Sequence, residues 1–144
     1  MAVEYTSIRK LARDIGRMPV FLQAELRPQL RVAGNLVAAQ VKANAAAFST
    51  RIPGAVSVSS RLSATGGVYV RVSSKLAPHA RPIEGSGGNL SFRHPVFPKG
   101  DDRGKWTWAD QPTHPFFFPA VKAKRPEAMA LIANAVRAAT RIRT

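Results

Sequence analysis

Apolar residues recur at three- and four-residue steps in the first third of the chain, the spacing that places them on one face of a helix. A short amphipathic helix is predicted at about residues 4–16, and a longer one extends to about residue 49. Pro28 is expected in the first turn of the longer helix, where its missing N–H costs little. The predicted apolar face of that helix consists of Leu26, Leu30, Ala33, Val37, Val41, Ala45 and Phe48.

The pattern changes to strict alternation at about residues 55–74, which is typical of half-buried strands. Valines alternate with serines in the first half of this segment and with Tyr69, Arg71 and Ser73 in the second half. The connection SATGG between the two halves is short and carries two glycines. The segment therefore predicts a β-hairpin.

Further strands are expected at Leu90–Phe97 and at Lys105–Ala109, with a turn between them. Pro95 would restrict the first of these strands to an edge or a bulge, because proline has no backbone N–H to donate. The surrounding stretch is long and rich in proline and glycine. Such a stretch inside a compact domain is usually functional or mobile.

The last apolar stripe predicts a helix at about residues 116–141 that begins between Phe116 and Pro126. Pro119 or Pro126 is expected as its first residue, since no N–H is needed there. Strands in one block between helices indicate an α+β fold with N-terminal helices, a central antiparallel sheet and a C-terminal helix packed on the sheet. We expect one domain over all 144 residues, with the sheet and a long loop at about 55–114.

The chain is strongly basic, with 22 Lys and Arg residues, 8 Asp and Glu residues and a net charge of +14. Residues 1–72 hold ten basic and three acidic residues, and residues 73–144 hold twelve and five, so each half carries +7. This charge attracts nucleic acid or an acidic protein, or it serves only to keep the surface soluble. The sequence pattern of an RNA-recognition module or a zinc finger is not present.

The absence of cysteine from the sequence excludes disulfides, zinc thiolates and thiol nucleophiles. No apolar run approaches the roughly 18 residues of a membrane span. The N-terminus carries charges throughout and lacks the apolar segment of a signal peptide. We therefore expect synthesis in the cytoplasm of the cell that makes the protein, and no membrane partner.

Few residues suggest chemistry, and we expect no catalytic residue, metal or cofactor. Glu84 lacks a second carboxylate for acid–base work, and we expect it to pair with Arg81 or Arg93. The glycine-rich stretch after Glu84 lacks the Gly-Lys-Ser/Thr that completes a phosphate-binding loop. Three histidines are too widely spaced to favour a zinc site and are expected to bond the backbone in loops. These are His79, His94 and His114.

The aromatic residues of the C-terminal third suggest packing or an interface. Trp106 and Trp108 lie two apart, hence on one face of a strand, and are expected in the core or in an interface, with base stacking as the alternative. In a helix, Phe116–Phe118 would fan over roughly 200°, whereas an apolar stripe covers about 100°. Phe116 or Phe117 is therefore expected to anchor the core, and one of the three rings to contact another subunit.

The element order and two motifs resemble the tail-completion, or head–tail joining, family of long-tailed bacteriophages. That family has a midway segment of the type Ala-x-x-(Ile/Val)-Glu-x-Gly, matched here by Ala80, Ile83 and Glu84, with Ser86 at the glycine position. The sequence departs from the family in a long irregular insertion at about residues 86–105. The family also has Pro-Phe-(Phe)-x-Pro-Ala at the start of the last helix. Its counterparts here are Pro115, Phe116, Phe117, Pro119 and Ala120.

The resemblance implies a non-enzymatic virion protein that forms a ring, commonly a hexamer, in the neck between head and tail. Its partners would be capsid connector or stopper proteins, tail terminator or tail tube proteins, and viral DNA that passes without being read. The loop at 86–105 has few apolar residues to anchor it, so we expect it to become ordered only in the assembly. The candidate interface residues are Glu84, Trp106, Trp108, Phe116, Phe117 and Phe118. The candidate basic residues of a DNA channel are Arg51, Arg61, Arg71, Arg93 and Lys105.

Two other functions remain open from the sequence. One is a small basic nucleic-acid-binding module of ribosomal-protein or chromatin type, and the other is an enzyme such as a nuclease. A ring protein would associate with connector or tail proteins, whereas a nucleic-acid module would bind free duplex with a steep salt dependence. The sequence offers no paired acids or metal-ligand spacing to support the enzyme.

Overall fold

The computed structural model describes residues 17, 19–62, 67–85, 89–96 and 106–141. The predicted helix at 4–16, Lys105 and most of the loop at 86–105 lie outside these residues. The helices are α1 (Val20–Ala46), α2 (Arg51–Ala55), α3 (Ala80–Glu84) and α4 (Phe117–Arg141). The strands are β1 (Val56–Arg61), β2 (Gly67–Val72), β3 (Ser91–Val96) and β4 (Thr107–Pro112).

Helix α1 begins at Val20, so the expectation that Pro28 lies in its first turn is wrong. Pro28 lies about two turns inside the helix, where it cannot donate a backbone hydrogen bond. The additional N-terminal turns bury Leu22 and Leu26 in a cluster with Val136 of α4. Burial of a large apolar side chain contributes about 1.5–3 kcal/mol, so this packing offsets the defect at the proline.

The predicted hairpin at 55–74 is confirmed. Strands β1 and β2 are antiparallel, with Val56 opposite Val72 and Arg61 opposite Gly67. The valines of one face pack against the core, while the serines and arginines of the other face are outside.

Gly34 allows this hairpin to lie directly on α1. A Cβ atom at Gly34 would lie 2.5 Å from Cγ1 of both Val58 and Val68, too close for any side chain. Glycine weakens a helix interior by about 1 kcal/mol relative to Ala. The two valines pack directly on the helix backbone, and this close approach explains why a glycine occupies position 34.

Helix α4 packs along α1, and its start falls within the predicted interval. The expectation that Pro119 or Pro126 is its first residue is wrong, since the helix begins at Phe117 and Pro126 lies inside it. The main core lies between the two long helices and the hairpin and includes Val41, Ile52 and Phe116. Contacts outside the helix itself set where α4 begins, as described below.

The remaining strands form a second antiparallel sheet, in which Arg93 lies opposite Asp110 and Pro95 opposite Trp108. The described strands thus divide into two sheets of two, whereas the sequence pattern predicted one central sheet. Most side chains of β3 and β4 are exposed or half-buried, and Phe92 is the residue that packs on the main core. With so little apolar surface, this pair does not extend the hairpin sheet. The predicted α+β class is confirmed.

Candidate functional site

Glu84 and the three phenylalanines meet where α3 ends and α4 begins. Helix α3 is about one and a half turns long and is followed by Gly85, whose φ of +79° favours glycine. A Cβ atom there would lie 2.8 Å from the carbonyl oxygen of Asn89. The chain therefore turns sharply after Glu84, and the Glu84 carboxylate faces the start of α4.

Glu84 caps the N-terminus of α4 from more than thirty residues away in sequence. Its Oε2 atom accepts backbone hydrogen bonds from Phe116 and Phe117, both at 2.8 Å, and its Oε1 atom accepts one from Phe118 at 2.9 Å. The first N–H groups of a helix have no partner within the helix, and the helix dipole favours a negative charge there. We call these three bonds the Glu84 cap.

The cap corrects the expectation that Glu84 pairs with Arg81 or Arg93. All three residues belong to the described part of the chain, and Glu84 forms no ion pair with either arginine. Its carboxylate instead accepts the three hydrogen bonds of the cap. A carboxylate on three convergent N–H groups makes charge-assisted bonds, which are stronger than neutral ones. Glu84 therefore acts as a structural residue that fixes the phenylalanine segment.

Further hydrogen bonds hold the same junction. The backbone N–H of His114 donates to the Ile83 carbonyl at 2.7 Å. The backbone N–H and the hydroxyl of Thr113 both donate to the segment before β3, at 2.9 Å. The Asn44 side chain of α1 donates to the Phe116 carbonyl at 3.1 Å. Sequence reasoning missed Asn44, although a polar residue in the Ala-rich stretch KANAAAF was an available signal.

The three phenylalanines divide as their spacing predicts. Phe116 is buried, with 1% of its surface exposed, and lies 5.8 Å from the Phe48 ring centroid. Phe117 is half-buried and packs against the main core. Phe118 is 68% exposed and meets the edge of Phe117 at a centroid distance of 5.7 Å. Phe116 as core anchor is thus confirmed, while contact of a ring with another subunit stays a prediction.

A surface groove of about 400 Å³ runs beside the exposed ring. Its walls are largely apolar, and Arg81 is the positively charged side chain in its lining. We call it the phenylalanine groove. It is lined by Val72, Ala77, Pro78, Arg81, Glu84 and Phe118, among others.

Trp106 and Trp108 are 55% and 58% exposed, so the core placement considered for them is wrong. The Arg93 guanidinium lies over the Trp108 ring, 5.9 Å from its centroid, a cation–π arrangement. For these exposed aromatics, a role in an interface or in base stacking stays a prediction. They belong to the β3–β4 sheet and its approach and do not line the phenylalanine groove.

The four candidate basic residues that the structure describes are exposed but lie on different elements. Arg51 begins α2, and Arg93 lies in β3. Arg61 and Arg71 share the outward face of the hairpin, about 13 Å apart along the strands. Arg71 lies over the Tyr69 ring at 5.2 Å from its centroid. The structure thus brings two of the five candidates to one face.

The histidines take separate structural positions. His79 is hydrogen-bonded to the Ser49 hydroxyl at 3.1 Å, and His114 stacks on Phe48 at 5.3 Å between ring centroids. The Nδ1 atom of His94 lies 3.3 Å from the carbonyl oxygen of Pro95. The predicted hydrogen bond to the backbone is therefore found for this histidine and not for the other two. Among the residues that the structure describes, no group of three or more His, Asp or Glu side chains could hold a metal ion.

Comparisons with family models, with curated proteins and with solved structures found no match. In the described ranges no helix is both long and apolar enough to cross a membrane.

Proposed function

We propose that this protein is a structural virion protein of the phage neck, which forms a ring that joins the DNA-filled head to the tail and lets DNA pass. The observation that carries the proposal is Phe118, a large ring that is 68% exposed and is held on a capped helix end beside an apolar groove. Aromatic residues in fixed positions are typical anchors of protein interfaces. The motif matches at Ala80–Glu84 and Pro115–Ala120 support the neck as the place of assembly.

A closed ring needs two different surfaces that complement each other, because each subunit contacts the next in a head-to-tail manner. The phenylalanine groove with Phe118 provides one apolar surface. The exposed Trp106 and Trp108 provide a second apolar surface, at the β3–β4 sheet and its approach. We propose that these two surfaces meet between neighbouring subunits, in a hexamer by preference.

The further partners follow from the place in the virion. The two faces of the ring would contact capsid connector or stopper proteins and tail terminator or tail tube proteins. The net charge of +14 supports a sequence-independent attraction to the DNA that passes. The proposal assigns no catalytic role, metal or cofactor.

The same charge favours the second candidate, a small basic nucleic-acid-binding module of ribosomal-protein or chromatin type. Such a module would act as a monomer on free nucleic acid. It would have no use for a rigidly held exposed ring beside an apolar groove, unless that ring stacks on a base.

Native mass spectrometry and negative-stain electron microscopy of the purified protein test the proposal, alone and with the connector and tail proteins encoded beside it. We expect closed rings, formed alone or on the connector. A protein that stays monomeric at all concentrations, and ignores connector and tail proteins while binding duplex, would instead support the nucleic-acid module. Capsid and tail genes on both sides of its own gene are expected.

A further inference from the structure

A second groove shares no lining residue with the phenylalanine groove. It has a volume of about 400 Å³ and is formed between α1 and β1. Its polar side chains all come from α1, and its β1 wall is apolar. We call it the basic groove. It is lined by Arg31, Asn35, Ala38, Ala39, Lys42, Val56 and Val58.

Helix geometry places the polar residues of this groove in one row. At 100° per residue, Arg31, Asn35 and Lys42 fall within about 40° of one another around the axis of α1. All three are exposed. Arg31 and Lys42 are about 16 Å apart along the helix, with the Asn35 amide between them. Arg27, also exposed, continues the row by one turn toward the N-terminus.

The charge of the groove is of one sign. Among the residues that the structure describes, no acidic side chain lines it, and the acidic residue of α1 itself is Glu25, which lines a different depression on the α4 side. Two small residues, Ala38 and Ala39, leave room between the basic side chains for a ligand to approach the helix. A groove with cations at its ends, an amide at its centre and an apolar floor fits the phosphates and sugars of a nucleic-acid backbone.

We infer that the basic groove binds the phosphate backbone of duplex DNA, with Arg31 and Lys42 as phosphate contacts and Asn35 as a hydrogen-bond donor between them. The inference rests on the proposed function for the choice of DNA as the polyanion. It assigns the DNA surface to α1, in place of the hairpin and β3 arginines that the sequence suggested. The contacts read no bases, since phosphates carry no sequence information directly.

The test measures binding of the full chain to a short fluorescent duplex of random sequence, by anisotropy over a series of salt concentrations. The variant Arg31→Gln/Lys42→Gln removes two phosphate contacts. The slope of log K against log salt should fall by about 1.8, since each contact contributes about 0.9. Asn35→Ala should weaken binding at every salt concentration and leave the slope unchanged.

Two matched double variants lose the same charge elsewhere. Lys75→Gln/Lys122→Gln changes exposed residues outside the groove and should bind like the unmodified protein. Arg61→Gln/Arg71→Gln changes the outward face of the hairpin. If all three double variants lose the same slope, binding follows net charge and the inference is wrong. If only the hairpin variant loses slope, the DNA surface is the hairpin and the inference is also wrong.

Circular dichroism and thermal melting check that each variant is folded, which is expected because every changed side chain is exposed. Ring formation on the connector, measured on the same proteins, separates the two proposals. If the protein forms rings but Arg31→Gln/Lys42→Gln keeps the salt slope, the neck function stands and the inference about the basic groove is wrong. If that variant loses slope but the protein never forms rings, the groove binds DNA and the neck function is wrong.

Discussion

The β1–β2 hairpin packs on α1 through valine side chains, whereas the β3–β4 sheet joins the molecule through Phe92 and through hydrogen bonds around Glu84. At the hairpin, Gly34 brings strand and helix into direct contact, and shape decides the packing. At the other junction, one carboxylate satisfies three helix N–H groups, and charge and direction decide the geometry. Apolar packing thus forms this core, while polar contacts set where the phenylalanine segment begins.

The largest effect is expected from Phe116, which is buried in the main core and whose backbone N–H donates to Glu84. Phe116→Ala should lower the free energy of unfolding by about 3–5 kcal/mol, the usual cost of removing a buried aromatic ring. The reason is its full burial against Phe48, since its backbone bonds remain in the variant. Urea unfolding measures the change, with Phe118→Ala as the exposed control. A loss below about 1 kcal/mol would mean that the hydrogen bonds alone hold this segment.

Removal of the cap isolates the polar contribution. Glu84→Ala should lower the free energy of unfolding by about 2 kcal/mol, because the three N–H groups lose a charged acceptor. Hydrogen exchange should speed up at the amides of Phe116, Phe117 and Phe118. Glu127→Ala, on the exposed side of the same helix, removes a surface ion pair with Lys124 and should change stability by less than about 1 kcal/mol. If the two variants lose the same free energy of unfolding, the Glu84 cap stabilises the protein no more than a surface ion pair does.

Gly34→Ala tests the hairpin region. Alanine normally stabilises a helix interior by about 1 kcal/mol relative to glycine, but here overpacking against Val58 and Val68 should cost about 1–3 kcal/mol. We expect a net loss of roughly 1 kcal/mol in urea unfolding. Gly54→Ala is the matched control, since a Cβ there meets nothing within 4 Å. If Gly34→Ala stabilises the protein as a free helix position would, the close approach is not required.

The smallest effect on stability is expected at Phe118. Phe118→Ala should leave the free energy of unfolding within about 0.5 kcal/mol, because the ring is mostly exposed. Assembly should weaken by roughly 2 kcal/mol or more, as for an interface hot spot. Sedimentation velocity and native mass spectrometry measure ring formation at matched concentrations. Rings as stable as those of the unmodified protein would leave Phe118 without a role in the interface.

Local patterns of the sequence were sufficient for the elements themselves. The valine alternation at residues 55–74 predicted the hairpin, because period two is a property of each strand alone. The three- and four-residue repeats predicted both long helices for the same reason. The fan expected for a helix predicted a core ring at Phe116 or Phe117 and a ring that points elsewhere, although Phe116 itself precedes the helix.

The ends of the helices and the role of Glu84 depended on residues far apart in sequence. Helix α1 extends back to Val20 because Leu22 and Leu26 find a partner in α4, more than a hundred residues later. Helix α4 begins at Phe117 because Glu84 accepts its first N–H groups, whereas local charge alone suggested an arginine partner. A helix end leaves polar groups that any distant acceptor can satisfy, so only the tertiary structure decides which residue does so.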